Sequence, residues 1–281
     1  MLESYSFHSI NEGFNLLITG AVHGDEICGK IAAKRIIAKL QNGEIILKKG
    51  SITLIPASNP VGNFLDKRYY ETNLNRCIKK TKEPKLYEEK IANILTKYIE
   101  DADYHLDLHS MDNNGIPFAF EDHVESADFA KCFGLKWIFR GWPNVYKDST
   151  TIQDLSTQAF SHKSNTISVT VEAGSHKDLD AIDLAEKCIL NAMNFCGFID
   201  YKPKNEYEKS EIIDMKKVFF KEKEGKLSKV WGEMEFVKKG VVIAEYQDGE
   251  KIIADDDYYM IFPSNNDDKI GEEWFYLGQN I

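Results

Sequence analysis

The sequence predicts an α/β fold, a sheet covered by helices on both faces, followed by a small all-β domain. Three observations predict it. Short apolar strand-like runs alternate with segments of helical period as far as Phe198. The character then changes at the polar, proline-bearing stretch YKPKNEYEKSE. Beyond it come only short β-like stretches separated by turn signals such as KKG, QDG and PSNN.

The elements follow in order. Phe14 to Gly20 is an apolar run ending in small residues and predicts a buried strand. From Asp25 to Leu40, apolar residues at Ile27, Ile31, Ile36, Ile37 and Leu40 keep helical spacing, and Asn42-Gly43 closes the helix. Ser51 to Ile55 reads as a second strand stopped by Pro56, Lys85 to Ile99 as an amphipathic helix, and Tyr104 to Leu108 as a third strand. Leu135 to Phe139 and the β-branched run Thr166 to Val171 give two more strands, and Leu179 to Phe198 a long helix. The α/β domain is expected at 1–203 and the β domain at 204–281. Within the latter, strands are expected at Lys217 to Phe220, Lys229 to Phe236, Val241 to Tyr246, Lys251 to Ala254 and Tyr258 to Phe262.

Composition narrows the function classes. A 43% hydrophobic share supports a substantial core. No apolar run approaches the ~20 residues that span a bilayer, and MLESYSFHSI lacks the basic start and apolar stretch of a secretory leader. The expectation is a cytoplasmic protein without a membrane partner. Net charge is −10, from 45 acidic and 35 basic residues, and the basic residues are scattered. That speaks against nucleic acid, which needs a basic face. Cys28, Cys77, Cys132, Cys188 and Cys196 are odd in number and form no CxxC pair, so reduced thiols are expected. Cys28 lies close to Glu26, but on a helix beginning near Asp25 it points away from it.

Chemistry gathers at predicted strand ends, where open α/β sheets bind ligands. His23-Gly24-Asp25-Glu26 follows the first strand and opens the first helix. A histidine before a helix and a glutamate in its first turn can converge on zinc, whose catalytic sites commonly use imidazole and carboxylate donors. Gly24 permits a tight turn between them. Alone, the motif equally suits a loop histidine beside a helix N-terminal carboxylate. His109 ends the strand YHLDLH, with Asp107 and His105 on the same face by the two-residue period. Its edge position makes His109 the better ligand; His105 reads as a buried, hydrogen-bonded histidine, and Asp107 as an acceptor orienting an imidazole or a loop cap. Glu172 closes TISVTVE and reads either as a partly buried general base or as a strand-end charge. Arg68 and Arg76, with Asn75, lie in DKRYYETNLNRC and suit carboxylate recognition, although surface arginines are common.

With HGDE, NPVG (Asn59 to Gly62), RYYETNLNR, DLHS, VTVEAG and the late GEEWFYLG in this order, the sequence resembles the succinylglutamate desuccinylase/aspartoacylase family. That family has a zinc carboxypeptidase-like fold, a mixed sheet flanked by helices with a small C-terminal β domain that closes over the active site. The resemblance implies one zinc per chain, bound by His23, Glu26 and His109, with Glu172 activating the zinc-bound water. It further implies that Arg68 stabilises the oxyanion and that Asn75 and Arg76 bind a substrate carboxylate. The activity implied is zinc-dependent amide hydrolysis of an N-acyl amino acid or related small N-acyl amine, with a peptide-trimming zinc carboxypeptidase as the alternative. Homo-oligomerisation stays open. Two positions depart from the pattern. Asn73 stands where the family often has an aspartate. No arginine lies about ten residues before Glu172, where gap-free counting places His162, next to Lys163. His162 is therefore the substrate-binding candidate there. Tyr258 and Tyr259 are candidates for the family's substrate-contacting tyrosine, or simply pack in the sheet.

Overall fold

The computed structural model describes residues 2–111, 115–146, 155–176, 178–202, 209–265 and 269–281. In chain order its elements are β1 (Tyr5–His8), β2 (Asn15–Gly20), α1 (Cys28–Gln41), β3 (Ser51–Ile55), α2 (Pro60–Phe64), α3 (Tyr87–Glu100), β4 (Tyr104–Met111), β5 (Phe118–Glu121), α4 (Ala127–Cys132), β6 (Trp137–Arg140), α5 (Trp142–Val145), α6 (Thr157–Lys163), β7 (Ile167–Ser175) and α7 (Leu179–Phe195). The C-terminal strands are β8 (Glu211–Phe220), β9 (Gly225–Leu227), β10 (Phe236–Val237), β11 (Val242–Tyr246), β12 (Lys251–Ile253), β13 (Tyr258–Ile261) and β14 (Glu273–Asn280). Two compact units result: Met1–Ile138 with Ile152–Ser210, and Phe139–Thr151 with Glu211–Ile281. The boundary expected near residue 203 falls on residues outside those described.

In the first unit the strand order is β1-β3-β2-β4-β7-β5-β6. The four central strands, β3, β2, β4 and β7, are parallel, flanked by antiparallel β1 and β5. This is the mixed sheet that the alternating pattern predicts, with helices on both faces. Period-two alternation sorts the side chains between them. Gly20 and Leu108 meet Gly29 of α1, so one face lies under α1 and its partner α7. Leu17 points the other way, into a cluster with Ile91 and Leu95 of α3. Thr19, His105 and Asp107 share that second face, and α6 covers them.

The second unit carries the strand order β8-β14-β13-β10 and a three-stranded sheet, β12-β11-β9. Trp231, Tyr258, Met260, Trp274 and Phe275 form its core. Several boundaries differ from the sequence reading. The expected strand Lys229 to Phe236 shrinks to Phe236–Val237, because a Gly232–Glu235 turn with Met234 at φ 58° bends the chain. β14, the central strand between β8 and β13, escapes a reading by turn-bounded runs. So do β1 and β5, each only four residues long. Helix α1 begins at Cys28 rather than near Asp25, which leaves HGDE outside the helix.

Candidate metal and catalytic site

The site is built where β2, β3, β4 and β7 end. Beyond Gly20, Ala21 takes a left-handed φ of 45°, a conformation costing a non-glycine residue roughly 1–2 kcal/mol. Two backbone bonds hold it there: the Ser58 N–H donates to Gly20 and the Asn59 N–H to Ala21. The chain then turns through HGDE, closed by the Glu26 N–H on the His23 carbonyl at 3.1 Å. Glu26 is thus aimed by a turn, not by a helix dipole.

Gly24 answers to close packing rather than to an unusual φ. A Cβ there would lie 2.1 Å from the Gly62 carbonyl carbon and 2.5 Å from the Lys67 oxygen. Its N–H donates to the Arg68 carbonyl at 3.0 Å and its carbonyl accepts from the Asn63 amide at 2.7 Å. NPVG and the Arg68 loop therefore clamp HGDE from both sides. The same loop is anchored by Glu88 of α3, a fully buried carboxylate that accepts the N–H groups of Tyr70, Glu71 and Thr72 and the Asn59 amide.

Donor atoms of His23, Glu26 and His109, all buried, lie within 4.8 Å of one another. Glu26 Oε1 is 2.7 Å from His23 Nδ1, and Oε2 is 2.8 Å from His109 Nδ1. The outer nitrogens face protein acceptors: His109 Nε2 lies 2.9 Å from Asp107 Oδ2, and His23 Nε2 lies 3.2 Å from Asn73 Oδ1. Donating Nε2–H outward leaves each Nδ1 lone pair turned inward, the tautomer a metal requires. Two such imidazoles and one carboxylate fit a divalent cation. Burial pushes the Glu26 pKa up, but the neighbouring His23 and His109 outweigh it and hold the carboxyl well below its usual range.

Glu172 sits directly across from His109 in the parallel register of β4 and β7. Its Oε2 is buried without a hydrogen-bond partner among the described residues. Burial, then the charge of Glu26, raises its pKa above the carboxylate range. Arg68 donates from Nη1 to Glu26 Oε1 at 3.0 Å, its side chain 47% exposed at the rim. Asn75 and Arg76 lie in a 3-10 turn, Leu74–Arg76, capped by Asn73 Oδ1 on the Asn75 N–H. The Arg76 guanidinium donates to the Asn75 carbonyl at 2.9 Å, and Asn75 Oδ1 accepts the Thr157 N–H at 2.9 Å.

A profile of the succinylglutamate desuccinylase/aspartoacylase catalytic domain matches residues 12–196, well over half of the chain. The chain belongs to the succinylglutamate desuccinylase/aspartoacylase family. The family is one of hydrolases of the deacylase type. Solved structures share the fold. A succinylglutamate desuccinylase/aspartoacylase of Rhodobacter sphaeroides superposes with a TM-score of 0.78 at 17% identity, over 96% of this chain and 87% of that one. A succinylglutamate desuccinylase of a Silicibacter species gives 0.78 at 19%, over 100% and 89%. The product-bound ectoine utilization protein EutE (DoeB) of Ruegeria pomeroyi gives 0.77 at 20%, over 98% and 88%. No curated protein matches the chain.

Within this family member, His162 is not brought to the cluster. Its ring stacks on His123, centroids 3.2 Å apart, in a cavity of about 160 Å³ lined also by Thr166, Ile167 and Ser168 at the start of β7. Glu172 lies five residues further along that strand, about 16 Å at the rise of an extended chain. Gap-free counting fails because α6 runs back across the sheet. Its first residue, Thr157, reaches Asp107 and Asn75, while His162 lies a turn and a half away. His105 is the buried histidine expected, between Thr19 Oγ1 and Ser161 Oγ, its pKa lowered by burial to about 4. Cys28 donates its thiol to the His109 carbonyl, and burial raises its pKa to about 11. Tyr258 packs in the C-terminal core with its hydroxyl on Asp255. The sequence reading misses Thr19, Glu88 and Thr157, because no motif links such residues to a site assembled from distant segments. Among the described residues, no helix is long and apolar enough to cross a membrane.

Proposed function

We propose that this chain is a zinc-dependent deacylase that hydrolyses the amide bond of an N-acyl amino acid or a related small N-acyl amine in the cytoplasm. The observation that carries the reading is a buried His23–Glu26–His109 donor set beside Glu172, which pairs with His109 across one strand pair and whose buried Oε2 has no hydrogen-bond partner among the described residues. His23, Glu26 and His109 would hold the ion, which when bound polarises the amide carbonyl and acidifies water. Glu172 takes the proton of the attacking water and returns it to the departing amine. Arg68, exposed at the rim, swings from Glu26 to the developing oxyanion. Asn75 has its Oδ1 committed to the Thr157 N–H, so its amide nitrogen is the end offered to a substrate carboxylate, alongside Arg76. Helix α6 carries no arginine, so the reading is not confined to substrates with an acidic side chain.

The test is a panel of N-acyl amino acids with varied acyl groups and side chains, run beside short peptides, with zinc and after metal-verified chelation. Turnover of N-acyl amino acids, lost on chelation and restored by zinc, is expected. Turnover of peptides alone would assign a carboxypeptidase instead. Full activity after complete chelation would overturn the metal mechanism.

A further inference from the structure

We infer that Thr157 is a positioning residue for the metal ligand His109, acting through Asp107, and that it ties this ligand to the substrate-facing Asn75. The inference rests on the reading of His23, Glu26 and His109 as the zinc site.

Asp107 is fully buried and gathers three donors. Thr19 Oγ1 donates to Oδ1 at 2.6 Å, Thr157 Oγ1 to Oδ2 at 2.5 Å, and His109 Nε2 lies 2.9 Å from the same Oδ2. The Thr157 hydroxyl has one proton and two acceptors in reach, Asp107 Oδ2 at 2.5 Å and Asn75 Oδ1 at 3.2 Å. The shorter bond to a carboxylate is charge-assisted and takes the proton. Asn75 Oδ1 still receives the Thr157 backbone N–H at 2.9 Å. That donor is free to leave the helix, since the first N–H groups of a helix have no intrahelical partner. One residue at the start of α6 therefore spends its side chain on the metal ligand's carboxylate and its backbone on the substrate-facing amide.

The Asp107 carboxylate could rotate about its terminal bond and release His109 from the Nδ1-inward orientation. Thr19 and Thr157 pin one oxygen each and prevent that. Thr19 in turn accepts the His105 Nε2–H, because its own proton is committed to Asp107. His105 is held on its other side by Ser161, four residues along α6 from Thr157. Loss of an outer partner of a metal-bound histidine typically weakens metal binding 10–100-fold.

The experiment is zinc titration of the full chain against a competing chromophoric chelator. Thr157→Val, which keeps shape and removes the hydroxyl, should bind zinc about tenfold more weakly, the low end of that range, since Asp107 itself stays in place. Thr157→Ser, which keeps the hydroxyl, should stay within about threefold of the parent. Thr157→Ala gives the same reading as Val if the branched variant does not fold. Recovery in Ser but not in Val or Ala separates positioning from simple helix packing. Parental zinc affinity in folded Thr157→Val or Thr157→Ala, with affinity lost in His109→Ala, overturns the inference alone. Parental affinity in His109→Ala overturns the zinc site on which it rests.

Discussion

At the scale of single residues, the site depends on groups whose usual hydrogen-bonding habits are blocked. Glu172 Oε2 is buried without a described partner, a costly arrangement for a carboxylate unless a cation or a reacting proton compensates it. Desolvation and the charge of Glu26 both favour its protonated form. In its proposed role as general base, Glu172 would work only when ionised, so activity would be lost as pH falls through its pKa. A raised pKa moves that loss toward neutrality from the ordinary carboxylate range. The expected outcome is an acidic limb of kcat/KM above pH 4.5, and a 10²–10⁴-fold lower kcat in Glu172→Gln with zinc still bound. A zinc-loaded Glu172→Gln enzyme with parental kcat would remove Glu172 from the role of base. Asn73 illustrates a different economy. It replaces the family's frequent aspartate but keeps an acceptor oxygen, which faces His23 Nε2 and caps the following 3-10 turn.

At the scale of elements, three loops and two strands meet to bring the donor atoms of His23, Glu26 and His109 within 4.8 Å of one another. Gly24 is the contact point, with the backbones of Gly62, Asn63 and Lys67 packed where a Cβ would stand. Gly24→Ala forces those backbones apart, and overpacking of this kind typically costs about 1–3 kcal/mol. Thermal denaturation should show the loss, and zinc titration a weaker site, since His23 and Glu26 flank the displaced residue. An unchanged midpoint would mean that the clamp around HGDE yields freely. The existence of the long elements was legible from periodicity: β2, α1, β3, α3, β4, β7 and α7 all follow apolar runs of strand or helix period. Edges and short partners were not, since four residues such as FAFE at β5 carry too little pattern to stand out.

At the scale of the whole molecule, binding a metal to the folded form alone stabilises it by mass action. At free zinc about 100-fold above Kd the gain is about 2.7 kcal/mol. For a chain of this size that is an increase in Tm of about 5 °C. Differential scanning calorimetry of the chelated and zinc-loaded parent should show this shift, and His109→Ala should not. An equal shift in His109→Ala would place the zinc elsewhere. All five cysteines are free and four are buried, so no disulfide contributes to that stability.

The sequence by itself determined the α/β pattern, the motifs that mark the family, and the residues His23, Glu26, His109 and Glu172 at strand ends. Each of these is a local property: periodicity sets the element, and a strand's end sets where its side chain is offered. What only the tertiary structure decided is distance between segments far apart in the chain. It placed Glu172 across from His109, made Gly24 a packing requirement as well as a turn residue, and withdrew His162 to the far end of β7. It also brought Thr157 to Asp107, fifty residues away in sequence. Spacing along a chain cannot report such encounters, because the path of α6 back over the sheet is fixed by packing against β4 and β7 and not by its own residues alone.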